Sequence, residues 1–406
     1  MSTAANPVLA FLAFFFIALT TALVMARRKG ILHWLPRYLV WSLGSSRRTP
    51  HTHIIFALVD HYEPRWGGKR NMERERARVD RWLRDYPPIA SKFRDSDGKT
   101  PQHTFFFPEE EYEYEHLNAL ESLCNKGFGE IEIHLHHNDD TSENLRETLL
   151  SFAQTLHREH GALSVDPETG QLRYAFIHGN WVLDNSHPKG RWCGVNDEIT
   201  ILKETGCYAD FTFPCAPHSA QPREVNALYY AKDEPDLPKS HDRGALVSTE
   251  VQPSGDLMLI TGPLRLNWSR RKAGIMPRIE NSDLRSSNPP TAERVDHWVD
   301  TGIHVKGRPE WVFVKVHTHG APELEADTLL GDPIAEMHRH LTSAYNDGRK
   351  YSLHYATARE MFNIIKAAEA GCTGNPNEYR DYLLPPPANT QPFHDPSATK
   401  RSAGNG

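Results

Sequence analysis

Paired cysteines, a basic surplus and nucleotide-binding glycine loops are all missing from this chain of 406 residues. The five cysteines, Cys124, Cys193, Cys207, Cys215 and Cys372, are odd in number. No C-x-x-C pair suggests a zinc knuckle. Free thiols in a reducing compartment are the preferred reading, and a disulfide such as Cys193–Cys207 or Cys207–Cys215 stays open. The formal net charge of −6 leaves no general basic surface for nucleic acid. The arginine-rich stretch 74–81 alternates with acids and reads as a solvated helix face. There is neither a G-x-G-x-x-G motif nor a P-loop. Ser240-His241-Asp242 has triad-like composition, but adjacent side chains cannot relay a proton to one another. Cys215 has only His218 nearby as a base, which makes it a poor nucleophile.

Long apolar runs are scarce as well, with one exception. Val8 to Ala26 is interrupted only by Thr20 and Thr21, and at 1.5 Å per residue it nearly spans a bilayer core of about 30 Å. Val24-x-Ala26 resembles a signal-peptide cleavage site. No Lys or Arg precedes the run, however, and Arg27, Arg28 and Lys29 follow it, so a retained single-pass anchor over 1–30 in the inner membrane is expected. The positive-inside rule then places the large domain on the cytoplasmic side. In the segment 31–50, Trp34, Tyr38 and Trp41 recur one helical face apart around Arg37. This suits either a helix at the membrane interface or one packed on the globular domain.

What is plentiful is alternation of strand and helix, and histidine. Hydrophobic residues make up 39% of the chain, enough for a sizeable core. Strands are expected at 53–60, 103–108, 130–137, 173–181, 207–214, 257–264 and 311–320. Between the earlier ones lie helices with apolar stripes such as Leu145, Leu149, Phe152 and Leu156. Pro87-Pro88 is expected to stop the helix from Met72, and Asp197 to cap one that ends at Gly206. Thr357-x-x-Glu360 reads as a capping box. Repeated strand–helix units over 51–371 argue for a parallel α/β sheet. The segment 372–406, with three consecutive prolines at 385–387, is expected to be a disordered tail.

In such folds functional groups collect at the carboxyl ends of strands. Of the 23 histidines, a concentrated set falls there: His61 after Asp60, then His134, His136 and His137 before Asn138 and Asp139, then His178 before Asn180, and finally His317 and His319. Strand alternation puts Glu132, His134 and His136 on one face, and His317 with His319 on another. An H-x-H pair at a strand end can present two imidazoles to one divalent metal ion, typically zinc.

With these residues located, their order resembles the polysaccharide deacetylase superfamily, carbohydrate esterase family four and its relatives. That family has a strand ending T-F-D-D, a strand reading T-F-F, a helix, a glycine and an E-I-G-x-H-x-x-x-H strand end. The matching stretches are Ala57–His61, Thr104–Phe107, Leu120–Gly127 and Glu130–His134. Phe176–Trp181, Gly206–Pro214, Val314–His317 and Tyr355–Glu360 sit where its later motifs fall. The chain differs in carrying His61 for the second acid and Asn138 for the second histidine.

The resemblance implies a distorted (β/α) barrel, preceded here by the transmembrane helix. It also implies hydrolysis of an N- or O-acyl group on a glycan or lipid-linked sugar. In that scheme Asp60 is the base and His317 the acid. His61, His134 and His136 hold one divalent ion, and His137, Asp139, His178, Asn180 and His319 line the pocket. An amidohydrolase-type metal hydrolase and a degenerate glycan-binding barrel are the alternatives. The sequence does not bear on oligomeric state.

Overall fold

The computed structural model describes residues 7–44, 49–274 and 276–388. Two helices come first, α1 (Pro7–Arg28) and α2 (Ile31–Gly44). The domain then alternates: β1 (Thr52–His61), α3 (Met72–Ala90), β2 (His103–Pro108), α4 (Tyr114–Cys124), β3 (Gly129–Leu135), α5 (Ser142–His160), β4 (Leu172–His178), α6 (Glu198–Glu204) and β5 (Cys207–Asp210). After β6 (Leu228–Ala231), β7 (Leu257–Ile260) and α7 (Ala292–Thr301) come β8 (Trp311–Thr318), α8 (Glu323–Leu329), α9 (Asp332–Ala344), β9 (Tyr351–Tyr355) and α10 (Ala358–Glu369).

The expected parallel α/β sheet is present. Its strands run in the order β8-β1-β2-β3-β4-β5-β7-β6, and every neighbouring pair is parallel except β7 with β6. The lower half of β1 pairs with β9 and its upper half with β2. The sheet does not close into a barrel. Its path ends at the short strands Asp283–Leu284 and Gly244–Leu246, which are not bonded to each other.

Alternation sorts the side chains of β1 cleanly. Ile54, Phe56, Leu58 and Tyr62 join the core beneath α3, α4, α5 and α9, where Trp82, Leu120, Leu149 and Met337 are buried. Ile55, Ala57 and Val59 face the other way, toward the buried side chains Met361, Ile364 and Ile365 of α10. Each fully buried large apolar side chain contributes about 1.5–3 kcal/mol, so both faces are firmly committed. The capping box of α10 forms as expected, and Arg359 within it reaches Glu130 of β3 at 2.8 Å, fixing that helix to the sheet.

Several expectations need correction. Pro87 and Pro88 do not stop α3, which continues to Ala90. Each proline removes only its own N–H, while the Pro87 carbonyl still accepts from Ser91 at 3.0 Å. Asp197 precedes α6 without a side-chain capping bond and instead accepts from the Ser142 hydroxyl at 2.6 Å. The segment 372–388 is not a loose tail. Arg359 and Asn363 both donate to the Leu384 carbonyl at 2.8 Å, and Pro385 accepts from Ser164 at 2.7 Å. The rest of that tail, 389–406, lies outside the described residues.

Helix α2 takes the packed alternative. Trp34 and Tyr38 are buried against Ala216, Val225 and Leu264, and His33 reaches Asp242 at 2.7 Å while Arg37 reaches Glu224 at 2.9 Å. Helix α1 covers 22 residues, although several of its side chains lie outside the described residues. Among the described residues, no helix is long and apolar enough to cross a membrane, so the expected spanning anchor is not shown. All five cysteines are free.

Candidate metal centre

Alternation past the end of β1 makes the site. His61 continues the face of Ala57 and Val59, and Glu63, two residues on, shares it. Asp60 and Tyr62 point to the helix layer. The ends of β3 and β8 bring His134, His136 and His319 to the same place. Two donor groups result, His61–Glu63–His319 and Glu63–His134–His136, each with its ligand atoms within 4.8 Å of one another. Glu63 belongs to both.

Hydrogen bonds fix which nitrogens face inward. His134 donates from Nδ1 to the Ile177 carbonyl at 2.7 Å, which leaves Nε2 as a bare lone pair 3.0 Å from Glu63 Oε1. His136 lies between two carboxylates, with Nδ1 on Glu110 and Nε2 3.2 Å from Glu63 Oε1. A carboxylate oxygen and a bare imidazole nitrogen are both acceptors, so each contact needs a cation between them, a proton or a metal ion. Carbonyl and carboxylate partners on the outer nitrogens are also what orients metal-ligating histidines. His61 Nε2 and Glu63 Oε2 are buried with no hydrogen-bond partner among the described residues. Orphaned polar atoms of this kind are costly unless something binds them. These residues therefore fit a divalent ion held by imidazole and carboxylate.

The electrostatics agree. Burial, followed by the neighbouring imidazoles, holds His61 well below the ordinary histidine value, and burial lowers His319 as well. Both keep their lone pairs at neutral pH. Burial pushes Glu63 up, but its contact with His134 and the surrounding imidazoles outweigh it and keep the carboxyl below its usual range. Burial likewise pushes His136 down, and its bond to Glu110 together with the charges of Glu63 and Glu110 holds it above the ordinary value.

Aromatic side chains enclose the cluster. The His61 and His319 rings stack with centroids 4.5 Å apart. Trp181 stands edge-on to both, at 6.3 and 5.9 Å. Asn180 and Trp181 sit at φ 57° and 60°, left-handed conformations uncommon for residues other than glycine. Trp66 meets His319 from outside at 5.1 Å and opens onto a cleft of about 270 Å³ lined also by Arg74, Arg78, Arg285 and Glu323.

The expected metal ligands His61, His134 and His136 thus converge, joined by His319, which was assigned to the pocket. His317 lies alongside, its ring 6.4 Å from that of His61 and its Nδ1 unpartnered. Burial keeps it neutral, far below the ordinary value. Asp60 does not join them. Its Oδ2 is 2.8 Å from His103 Nε2 and its Oδ1 accepts from the Gly320 N–H at 2.6 Å, both on the helix side of the strand. Asp139 is exposed at φ 51° and accepts from Asn138. His137 and His178 form a separate cluster with Cys193 and Glu198.

Sequence reasoning missed Glu63, although the period of two from His61 points to it. It also missed Glu110, two residues past the end of β2, and Cys193 and Glu198, whose positions carry no strand-end signal. No protein-family model matches this chain, and no curated protein matches it either.

Proposed function

We propose that this protein is a metal-dependent hydrolase that removes an N- or O-acyl group from a glycan or lipid-linked sugar. The observation that carries the reading is the convergence of four imidazoles on Glu63 at the carboxyl end of a parallel sheet, with His61 Nε2 and Glu63 Oε2 left unpartnered. The order of strand-end motifs, similar to that of polysaccharide deacetylases, supplies the reaction class.

His61, His134, His136 and His319 would hold the ion beside Glu63, and a bound zinc ion would supply Lewis acidity toward the acyl carbonyl. The chain's own groups do the rest. Glu63, ionised and within reach of the site, accepts the proton from the attacking water. Asp60 does not take that role, since both of its oxygens are engaged on the opposite face. Glu63 then returns that proton to the departing nitrogen or oxygen, and His317, which burial keeps neutral, stands beside the site to donate a hydrogen bond to that group. Trp66 is 46% exposed at the cleft mouth and offers an apolar face for a sugar ring. Arg74 beside it suits a phosphate on a lipid-linked substrate, while Arg78 is taken up by Glu323 and the Pro64 and Trp66 carbonyls.

Membrane attachment through α1 belongs to the same proposal. The run Val8–Ala26 carries no charge, and Phe11, Phe14, Phe15, Phe16 and Ile17 are all more than half exposed. A contiguous exposed apolar surface of this kind suits lipid.

A second reading follows from Glu63 being common to both donor groups. A shared carboxylate suits a pair of ions, as in amidohydrolase-type enzymes acting on a small amide or ester. Acetate release from acetylated amino-sugar oligomers and acetylated lipid-linked sugars, measured on the zinc-loaded full chain, tests the first reading. No release across that panel, with hydrolysis of small amides instead, would transfer the assignment to the second.

A further inference from the structure

Behind the main site, the four side chains of His137, His178, Cys193 and Glu198 have ligand atoms within 4.8 Å of one another. His178, Cys193 and Glu198 are fully buried. They come from different parts of the chain: the loop after β3, the end of β4, the loop 182–197 and the first residue of α6. We infer that this cluster is a second, structural metal site, a closed N₂SO set for zinc.

The case rests on lone pairs. His137 Nδ1 lies 3.0 Å from Asp140 Oδ2, and His178 Nδ1 bonds to the Gly179 carbonyl. Both partners are acceptors only, so each Nδ1 carries a proton and each Nε2 turns inward. Those two Nε2 atoms nevertheless face each other at 2.9 Å. His137 Nε2 is also 3.2 Å from Glu198 Oε1, and His178 Nε2 is 3.5 Å from the same oxygen. Two inward Nε2 atoms and a carboxylate oxygen turned on one point need a cation there, a second imidazole proton or a metal ion.

The spacing suits zinc. Donors about 2.0–2.3 Å from a tetrahedral zinc ion lie roughly 3.3–3.6 Å from one another. The separations among the two nitrogens and Glu198 Oε1 are 2.9, 3.2 and 3.5 Å, a little tighter than that span, and Cys193 Sγ lies 3.4 Å from the other Glu198 oxygen, Oε2, which also accepts from the Asp184 N–H. The Val195 N–H points at Cys193 Sγ from 3.4 Å, as a donor to a thiolate would. Asp140 and the Gly179 carbonyl supply the outer support expected of metal-bound histidines.

The site's place in the fold gives its purpose. A Cβ on Gly179 would come within 2.3 Å of the His136 ring, and one on Gly194 within 2.6 Å of the Asp140 nitrogen. The turn after His178 therefore sits against His136, and the loop carrying Cys193 sits on Asp139 and Asp140 just beyond that strand end. An ion here ties that loop down and holds one wall of the main site. Four protein donors leave no open position, so no catalysis is assigned to it.

The inference is independent of the acyl-hydrolase reading, and one experiment separates them. The main site contains no sulfur, so cobalt substitution of the detergent-solubilised full chain reports on the second site through thiolate-to-cobalt charge-transfer absorption. The expected result is that band in the wild type, together with one sulfur neighbour at about 2.3 Å by zinc-edge absorption spectroscopy. Glu63→Gln should keep the band, Cys193→Ser should lose it along with one ion per chain, and Asp140→Asn should weaken binding about 10–100-fold. Absence of the band from fully loaded wild type would overturn the inference whether or not the variants fold, and so would its survival in Cys193→Ser. A normal band from a protein that releases no acetate leaves this site standing and removes only the proposed activity.

Discussion

Gly320 gives its backbone N–H to Asp60 Oδ1 at 2.6 Å, and a Cβ at Gly320 would lie 2.2 Å from Asp60 Oδ2. The close approach locks the turn after His319 to the end of β1, so Asp60 sets the position of a site histidine from behind the sheet. Gly320→Ala should cost about 1–3 kcal/mol through overpacking, read as a lower midpoint in chemical denaturation. An unchanged midpoint would show that the contact relaxes freely.

The same contact separates two roles for acidic residues. Asp60→Asn keeps an oxygen for Gly320 and should mainly lower stability, with turnover reduced less than tenfold. Glu63→Gln should lower turnover by about 10² or more, because the amide cannot accept a proton. Equal losses of activity from the two, at equal stability and metal content, would return Asp60 to the list of bases.

Metal content discriminates among the histidines. His134→Ala should sharply lower occupancy of the main site, since it removes a ligand whose Nδ1 is already anchored to Ile177. His157→Ala, on the outer face of α5 with its Nδ1 on the Ala162 carbonyl, should leave occupancy unchanged. Elemental analysis of both proteins after dialysis decides the matter, and equal values would eliminate His134 as a ligand.

A pH effect far from the site follows from His338. Burial, followed by the nearby His103, pulls its value down to about 3, and its Nδ1 accepts from the Tyr355 hydroxyl at 3.1 Å. The folded protein keeps this ring neutral while the unfolded chain protonates it near pH 6.5. Its contribution is therefore complete above that pH and is lost as pH falls toward 3, by about 1.4 kcal/mol per unit. His338→Gln cannot titrate, so its unfolding free energy should fall less steeply than wild type between pH 6 and 4. Parallel curves would mean that the ring is protonated in the fold.

Topology has its own test. Reporter fusions after Gly44 and after Gly371 should behave as cytoplasmic, as Arg27, Arg28 and Lys29 imply. Activity of a periplasm-only reporter at both positions would reverse the orientation.

The strand ends were legible because periodicity survives in one dimension. The alternation of Glu132, His134 and His136, and of His317 and His319, places those rings without knowledge of the fold. Applied one step further, the same rule says that Asp60 and His61 cannot both face the site and that Glu63 must, and there the sequence reading stopped a residue short. Cys193 and Glu198 follow no period. They are delivered by a loop whose course depends on Trp192 at φ 66° and Gly194 at φ 107°, conformations that local pattern does not announce. Pro87 and Pro88 misled for the opposite reason, because tertiary packing on α3 outweighs a local break signal. Closure of the sheet depends on the contacts of its outermost strands, which single-strand patterns do not encode.

The burial of Trp34 and Tyr38 beneath Leu264 has a mechanical meaning. Because α2 is clamped to the domain, only Lys29 and Gly30 separate it from α1, a leash of roughly 7 Å at full stretch. The domain is mounted like a bracket rather than swung on a rope. Wherever α1 is seated, the domain can stand no further from it than those two residues allow. Under the proposed attachment through α1, so short a tether would favour substrates that arrive along a lipid surface over those drifting in from the bulk.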